Sequence, residues 1–202
     1  LEFRRVLFRS VLFYGAEWEK EAAKRGLSNH KTTPEALKAK ISKKSIDLFE
    51  EMGVMSKVEV EARHEIELEE YILRIQIEGR VLGDVARNHV IPTAVKYQNT
   101  LIENVSGLKN IFENDFKKHA KEQVDLIEKI SLHIAGINSK VEEMTQQRKK
   151  ANKLEGQKSA DMYCNKVRPY FDEIRYHCDK LEMMVDDELW PLAKYRELLF
   201  TR

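Results

Sequence analysis

Glu61-Ala62-Arg63-His64 places a carboxylate three residues before an imidazole, the spacing by which helical bundles turn both groups toward a di-iron centre. Such a centre needs a second pair of the same spacing on another helix. The nearest, Glu173 with His177 and Asp115 with His119, are four apart, which leaves half a site. His177 stands beside Cys178, the residue types of a base and a nucleophile. Adjacent helical residues point about 100° apart, so the two cannot face each other. His177 instead reads as a core histidine hydrogen-bonded to a neighbouring helix. Cys164 and Cys178 are the only cysteines, and 14 residues of helix would separate them by about 21 Å, where a disulfide needs about 7 Å. They read as reduced thiols. No phosphate-binding glycine loop, Walker lysine or Gly-x-Ser-x-Gly elbow occurs. No catalytic, cofactor-binding or metal-binding residue is assigned.

The residues around these groups are organised by helical period. Ile127, Ile130, Ile134, Ile137, Val141 and Met144 keep a three-then-four spacing, as do Tyr163, Val167, Tyr170, Ile174, His177, Leu181 and Met184. Each series is one apolar stripe. Burying six such residues yields about 9–18 kcal/mol, while ordering about 30 residues costs about 1–2 kcal/mol each, so neither helix stands alone. An apolar share of 42% supplies a core across 202 residues. The formal charge of +1 gives no field to draw nucleic acid, and no apolar run approaches the roughly 20 residues of a membrane span. The expectation is a cytoplasmic protein with neither nucleic acid nor membrane as partner.

Glu17 to Arg25 predicts a short helix stopped by Gly26, and Ser28 to Lys31 a linker. Thr33-Pro34 opens one segment running to Gly53. Ser56-Lys57-Val58-Glu59 is a capping box at the head of a long helix whose core face is read as Val58, Ala62, Ile66, Tyr71, Ile72, Ile75, Leu82, Val85 and Ala86. Gly79 and Gly83 fall on one face and predict a close crossing. Pro92 and Pro169 each remove a backbone donor, predicting kinks at 88–91 and 165–168. Asn114 is read as the cap of a helix from about Asp115 to Leu154, Gly156 as a turn, and Ser159 to Asp187 as the last long helix. Short turns force antiparallel neighbours. The fold class is all-α: an antiparallel bundle of long kinked helices, with a short N-terminal helical segment and an apolar C-terminal tail.

Four stretches taken together carry a resemblance: Thr32-Thr33-Pro34-Glu35-Ala36-Leu37; Glu69-Glu70-Tyr71; Ile91-Pro92-Thr93-Ala94-Val95-Lys96-Tyr97-Gln98; and Val185-Asp186-Asp187-Glu188-Leu189-Trp190-Pro191-Leu192. In this order, closed by Lys194-Tyr195-Arg196-Glu197-Leu198-Leu199-Phe200, the chain from Tyr14 to Arg202 resembles the C-terminal region of type III glutamine synthetases. Ala193 departs from the pattern, where many relatives carry a second proline. The resemblance implies a parent enzyme that uses ATP and magnesium to activate glutamate as an acyl phosphate for attack by ammonia. It places the metal carboxylates, nucleotide contacts and substrate arginines in upstream domains. None maps onto this chain, which is expected to bind no cofactor and to be inactive alone. The partners implied are the chain's own upstream catalytic domain and sister subunits of a homo-oligomer. The apolar tail residues Trp190, Pro191, Leu192, Leu198 and Phe200 are expected either to form a docking surface or to fold back on their own bundle.

The chain opens on Leu1 rather than methionine and is read as a fragment, and Leu1 to Ser10 as an assembly scar. The expected organisation is 1–13 artefact or disordered, 14–55 short helices and linker leaving the catalytic domain, and 56–202 helical bundle with tail. Two alternatives share the periodicity. One is a free-standing scaffold or interaction bundle, and the other a di-iron carboxylate bundle.

Overall fold

A computed structural model describes residues 16–194 and Glu197. The helices, in chain order, are α1 (Ala16–Lys24), α2 (Thr33–Lys40), α3 (Lys43–Glu51) and α4 (Lys57–Val85). A π turn (Ala86–Val90) leads into α5 (Ile91–Phe112), and a 3-10 turn (Glu113–Asp115) into α6 (Phe116–His119). Then come α7 (Lys121–Ala151), α8 (Gly156–Met162), a second π turn (Tyr163–Val167) and α9 (Pro169–Met184). The described residues contain no strand, as the all-α reading requires. The chain divides between Glu67 and Leu68 into two compact units.

In the first unit α1 ends where Gly26 takes φ +70°, a conformation glycine adopts without a Cβ penalty. The segment expected to run unbroken from Thr33 to Gly53 is two helices. Ser42 leaves helical geometry at ψ 147° and accepts a hydrogen bond from the Ser45 backbone N–H at 3.3 Å, capping α3. The capping box forms as read. The Ser56 N–H donates to Glu59 Oε2 at 2.7 Å, and the Glu59 N–H donates to Ser56 Oγ at 3.4 Å. The Ser56 N–H, and then the Ser56 hydroxyl donating to the same Oε2 at 2.8 Å, hold the Glu59 carboxyl below the usual range.

The core face expected for the first turns of α4 is rotated. Val58, Ala62 and Ile66 are exposed, while Val60, His64 and Leu68 are buried. Both series keep a four-residue step, and spacing alone does not choose between them.

The second unit is built on three antiparallel passes. Along α4 and α5, Gly79 meets Met144, Gly83 meets Val141, and Gln98 reaches the Ile127 carbonyl, so α7 runs opposite to both. Lys140 pairs with Glu173 and His133 with His177, so α9 runs opposite to α7. The core draws on all three: Ile75, Ala86, Val90 and Ala94; Ile130, Ile137, Val141 and Met144; Tyr163, Val167, Ile174 and Leu181. The close crossing at Gly79 and Gly83 is made by side chains rather than backbone. A Cβ on Gly79 would lie 3.2 Å from Phe171, and one on Gly83 3.3 Å from Val141.

Both expected kinks are π turns, and the helices continue through them. The residue before each proline donates five residues back, Ile91 to the Ala86 carbonyl and Arg168 to the Tyr163 carbonyl. The wider turn gives the proline ring room where a four-residue repeat would drive it into a carbonyl.

Asn114 does not cap α7. It sits in the 3-10 turn after Glu113, which takes φ +43°, and α7 begins only at Lys121. Of the two expectations for the tail, Trp190 follows the fold-back: it is 9% exposed and belongs to the core. Pro191 and Leu192 are exposed, and Leu198 and Phe200 lie outside the described residues.

Candidate functional site

Polar side chains gather at three places inside the second unit. The first is a histidine pair. Ile130, His133 and Ile137 keep the stripe spacing on α7, which turns His133 inward toward His177 on α9. Their Nδ1 atoms are 2.9 Å apart, so one ring must donate and the other accept. Tyr176 lies edge-on to the His177 ring at 5.3 Å. Gly136 provides the floor, since a Cβ there would fall within the His177 ring contact. Burial first, then the His177 charge and Lys180, push the His133 pKa down. His177 is pushed down by burial and then by Lys140, against an opposing pull from Glu173. Both rings therefore favour the neutral state, in which one Nδ1 carries the shared proton and the other accepts it.

His177 is thus bonded to a neighbouring helix, as the sequence indicated, but it is half-buried at the edge of the core rather than inside it. His133, its partner, was not singled out, although its place on the stripe was the available signal.

The second group is Gln76, Asn152 and Tyr163. Gln76 Nε2 donates to Tyr163 Oη at 2.9 Å and to Asn152 Oδ1 at 2.7 Å, and the Tyr163 hydroxyl donates to Asn152 Oδ1. The Tyr163 side chain is fully buried, so its ring packs in the core while its hydroxyl is satisfied at the edge. Nearby, burial and the Cys164 thiol hold the Tyr71 hydroxyl above the usual phenol range.

The third is Lys140, whose Nζ lies 2.9 Å from Glu173 and 3.2 Å from Glu143, above the Tyr170 ring. Its pKa is raised by those two carboxylates. This network ties α7 to α9.

The sequence candidates sit apart from one another in role. Glu61 is exposed and His64 is buried with no partner at Nδ1. His119 stacks on Phe112 with ring centroids 4.2 Å apart, closing the corner after α5. Glu173 is paired with Lys140. Cys178 is half-buried, and burial pushes its thiol up to about 11, away from nucleophilic thiolate. Cys164 is buried and also free. Among the described residues no three His, Cys, Asp or Glu side chains gather where they could hold a metal ion. No helix there is long and apolar enough to cross a membrane. These polar groups join helices and satisfy buried donors. None of them brings a nucleophile to a base.

Comparison with known proteins places this architecture. The family model described as the glutamine synthetase C-terminal domain matches residues 3–109, more than half of the chain. That stretch takes in most of Leu1 to Ser10, the segment read as a scar. The chain is 46% identical over 191 residues to a glutamine synthetase of Bacteroides fragilis (strain YCH46), covering 94% of this chain and 26% of that protein. It is 34% identical over 198 residues to a type-3 glutamine synthetase of Dictyostelium discoideum, with the same two coverages. A glutamine synthetase of Butyrivibrio fibrisolvens is 31% identical over 201 residues, which is 28% of its length. The chain thus spans about a quarter of the relatives it matches. From the four quoted stretches to the all-helical bundle and these matches, the observations agree: the chain belongs to the glutamine synthetase C-terminal domain family.

Proposed function

We propose that this chain is a non-catalytic bracing region of a cytoplasmic ligase that uses ATP to join ammonia to glutamate, and that it supports the catalytic domain and the assembly of sister subunits. ATP and magnesium belong to the parent reaction. The described residues do not fit them: no three His, Cys, Asp or Glu side chains gather where they could hold the metal. No step of the reaction is routed through this chain.

One observation carries the bracing role. On α4, Leu73, Ile77 and Val81 are 55%, 52% and 55% exposed at four-residue spacing, on the side of the helix away from the buried Ile75, Gly79 and Gly83. A continuous apolar stripe left in water favours burial against a further surface. Leu73→Glu with Ile77→Glu in the full-length protein is expected to reduce its sedimenting mass and its ligase activity together. Unchanged mass and activity would end the bracing reading. The purified chain is expected to form no glutamine from glutamate, ammonia and ATP with magnesium. Product above a boiled control would end the non-catalytic one.

A further inference from the structure

We propose that the open groove between α4 and α7 binds a phosphoryl group carried by a small molecule, held by arginines without a metal. The groove has a volume of about 290 Å³. Its walls carry Arg80 and Arg87 from α4 and the π turn after it, and Arg148 from α7, and its one carboxylate is Asp84. Antiparallel packing of α4 on α7 puts the three arginines on the lining of one opening. Gly79 and Gly83 keep the floor low, because neither adds a side chain where Met144 and Val141 pack.

The donors there are under-used. Among the described residues no carboxylate lies within ion-pair distance of Arg80 or Arg148, in a chain where exposed arginines such as Arg25, Arg74 and Arg175 each have one. Arg87 is committed on one side only. Its Nη2 donates to the Asn138 carbonyl at 3.3 Å and lies 3.6 Å from Glu142, while its Nε is buried with no acceptor. Asp84 is partly answered from its own helix, Oδ1 accepting from Asn88 Nδ2 at 2.5 Å. Thr145 spends its hydroxyl proton on the Val141 carbonyl.

Glu142 answers Arg87, which leaves Arg80 and Arg148 as two guanidinium groups with no carboxylate partner of their own, facing only Asp84. A phosphoryl group carries close to two negative charges and three acceptor oxygens, which lets it accept from both forked donors at once where one carboxylate offers two oxygens. The absence of an acidic cluster among the groove's described residues leaves the arginines to do the recognition directly.

The test uses the 202-residue chain and calorimetric titration at fixed ionic strength, with inorganic pyrophosphate as probe and citrate as a carboxylate of similar charge. Pyrophosphate is expected to bind at least about fivefold more tightly than citrate. Arg80→Gln with Arg148→Gln is expected to weaken pyrophosphate at least about tenfold with an unchanged circular dichroism spectrum, since neither arginine holds a structural carboxylate. Lys149→Gln with Lys150→Gln, exposed on the same helix outside the groove, is expected to change binding less than about twofold. Equal affinity for citrate would overturn the phosphoryl assignment. Binding untouched by the arginine pair, or weakened as much by the lysine pair, would overturn the site.

Discussion

A Cβ placed on Gly136 would fall 2.5 Å from Cε1 of His177, so the histidine ring rests on the bare backbone of the opposite helix. The ring cannot retreat freely, because its Nδ1 is bonded to His133 and Tyr176 stands at its edge. Gly136→Ala should gain up to about 1 kcal/mol of helix propensity and lose about 1–3 kcal/mol to overpacking. The clash wins, and the melting temperature should fall by a few degrees. In a His177→Ala background the same substitution should be stabilising. Thermal melts of the four proteins in that cycle check the sign reversal.

Gly107 is the control within the same unit. It lies inside α5 and a Cβ there meets nothing within 4 Å. Gly107→Ala should raise stability by about 0.4–1 kcal/mol, read as a higher urea midpoint at an unchanged slope.

The histidine pair sets a pH dependence. Both folded pKa values lie below the ordinary 6.5, so between those values and 6.5 the unfolded chain binds more protons than the folded one. The pair's contribution is therefore complete above pH 6.5 and lost as the pH falls through the folded values. Urea melts between about pH 7.5 and 5 should show falling stability, with a smaller slope in His133→Gln, His177→Gln. An unchanged slope would show that other groups carry it. Glu143, held below 4.5 by Ser139 and Lys140, loses its contribution in a lower and separable window.

Tyr163→Phe keeps the buried ring and removes the hydroxyl that both accepts from Gln76 and donates to Asn152. A loss of about 0.5–1.5 kcal/mol is expected, the net worth of one hydrogen bond, because Asn152 is exposed and water can take the place of the lost donor. Chemical denaturation of the variant against the parent measures it.

Cys178, pushed up to about 11, should be about one part in a thousand thiolate at about pH 8. In Cys164→Ala, labelling by a thiol reagent should be slow in the native protein and complete within the mixing time in guanidinium. Fast native labelling would contradict the burial of that thiol.

The stripes on α7 and α9 were legible because their residues repeat on one side only, so period and burial agree from Ile130 to Met144 and from Tyr163 to Leu181. The start of α4 was not, since Val58, Ala62 and Ile66 compete with Val60, His64 and Leu68 at the same step and only packing decides. Pro92 and Pro169 announced that something must give, but the choice of a π turn over a break depends on how neighbouring helices hold the backbone. Asn114 had the right chemistry for a cap in the wrong place, because a left-handed Glu113 turned the chain first. His133 was readable and passed over, as a single histidine among isoleucines carries no motif. The arginine groove needs two helices brought side by side, which no local pattern encodes.

The two π turns also bear on how such a domain can change in length. Each holds a surplus residue that a regular coil could shed without rotating the downstream helix, but only if the neighbouring proline were lost as well. Losing the residue alone would press the ring onto a carbonyl, and losing the proline alone would leave slack backbone. Insertion and imino acid should therefore be inherited as one unit at 86–92 and at 163–169, with single-residue gaps elsewhere along these rods selected against.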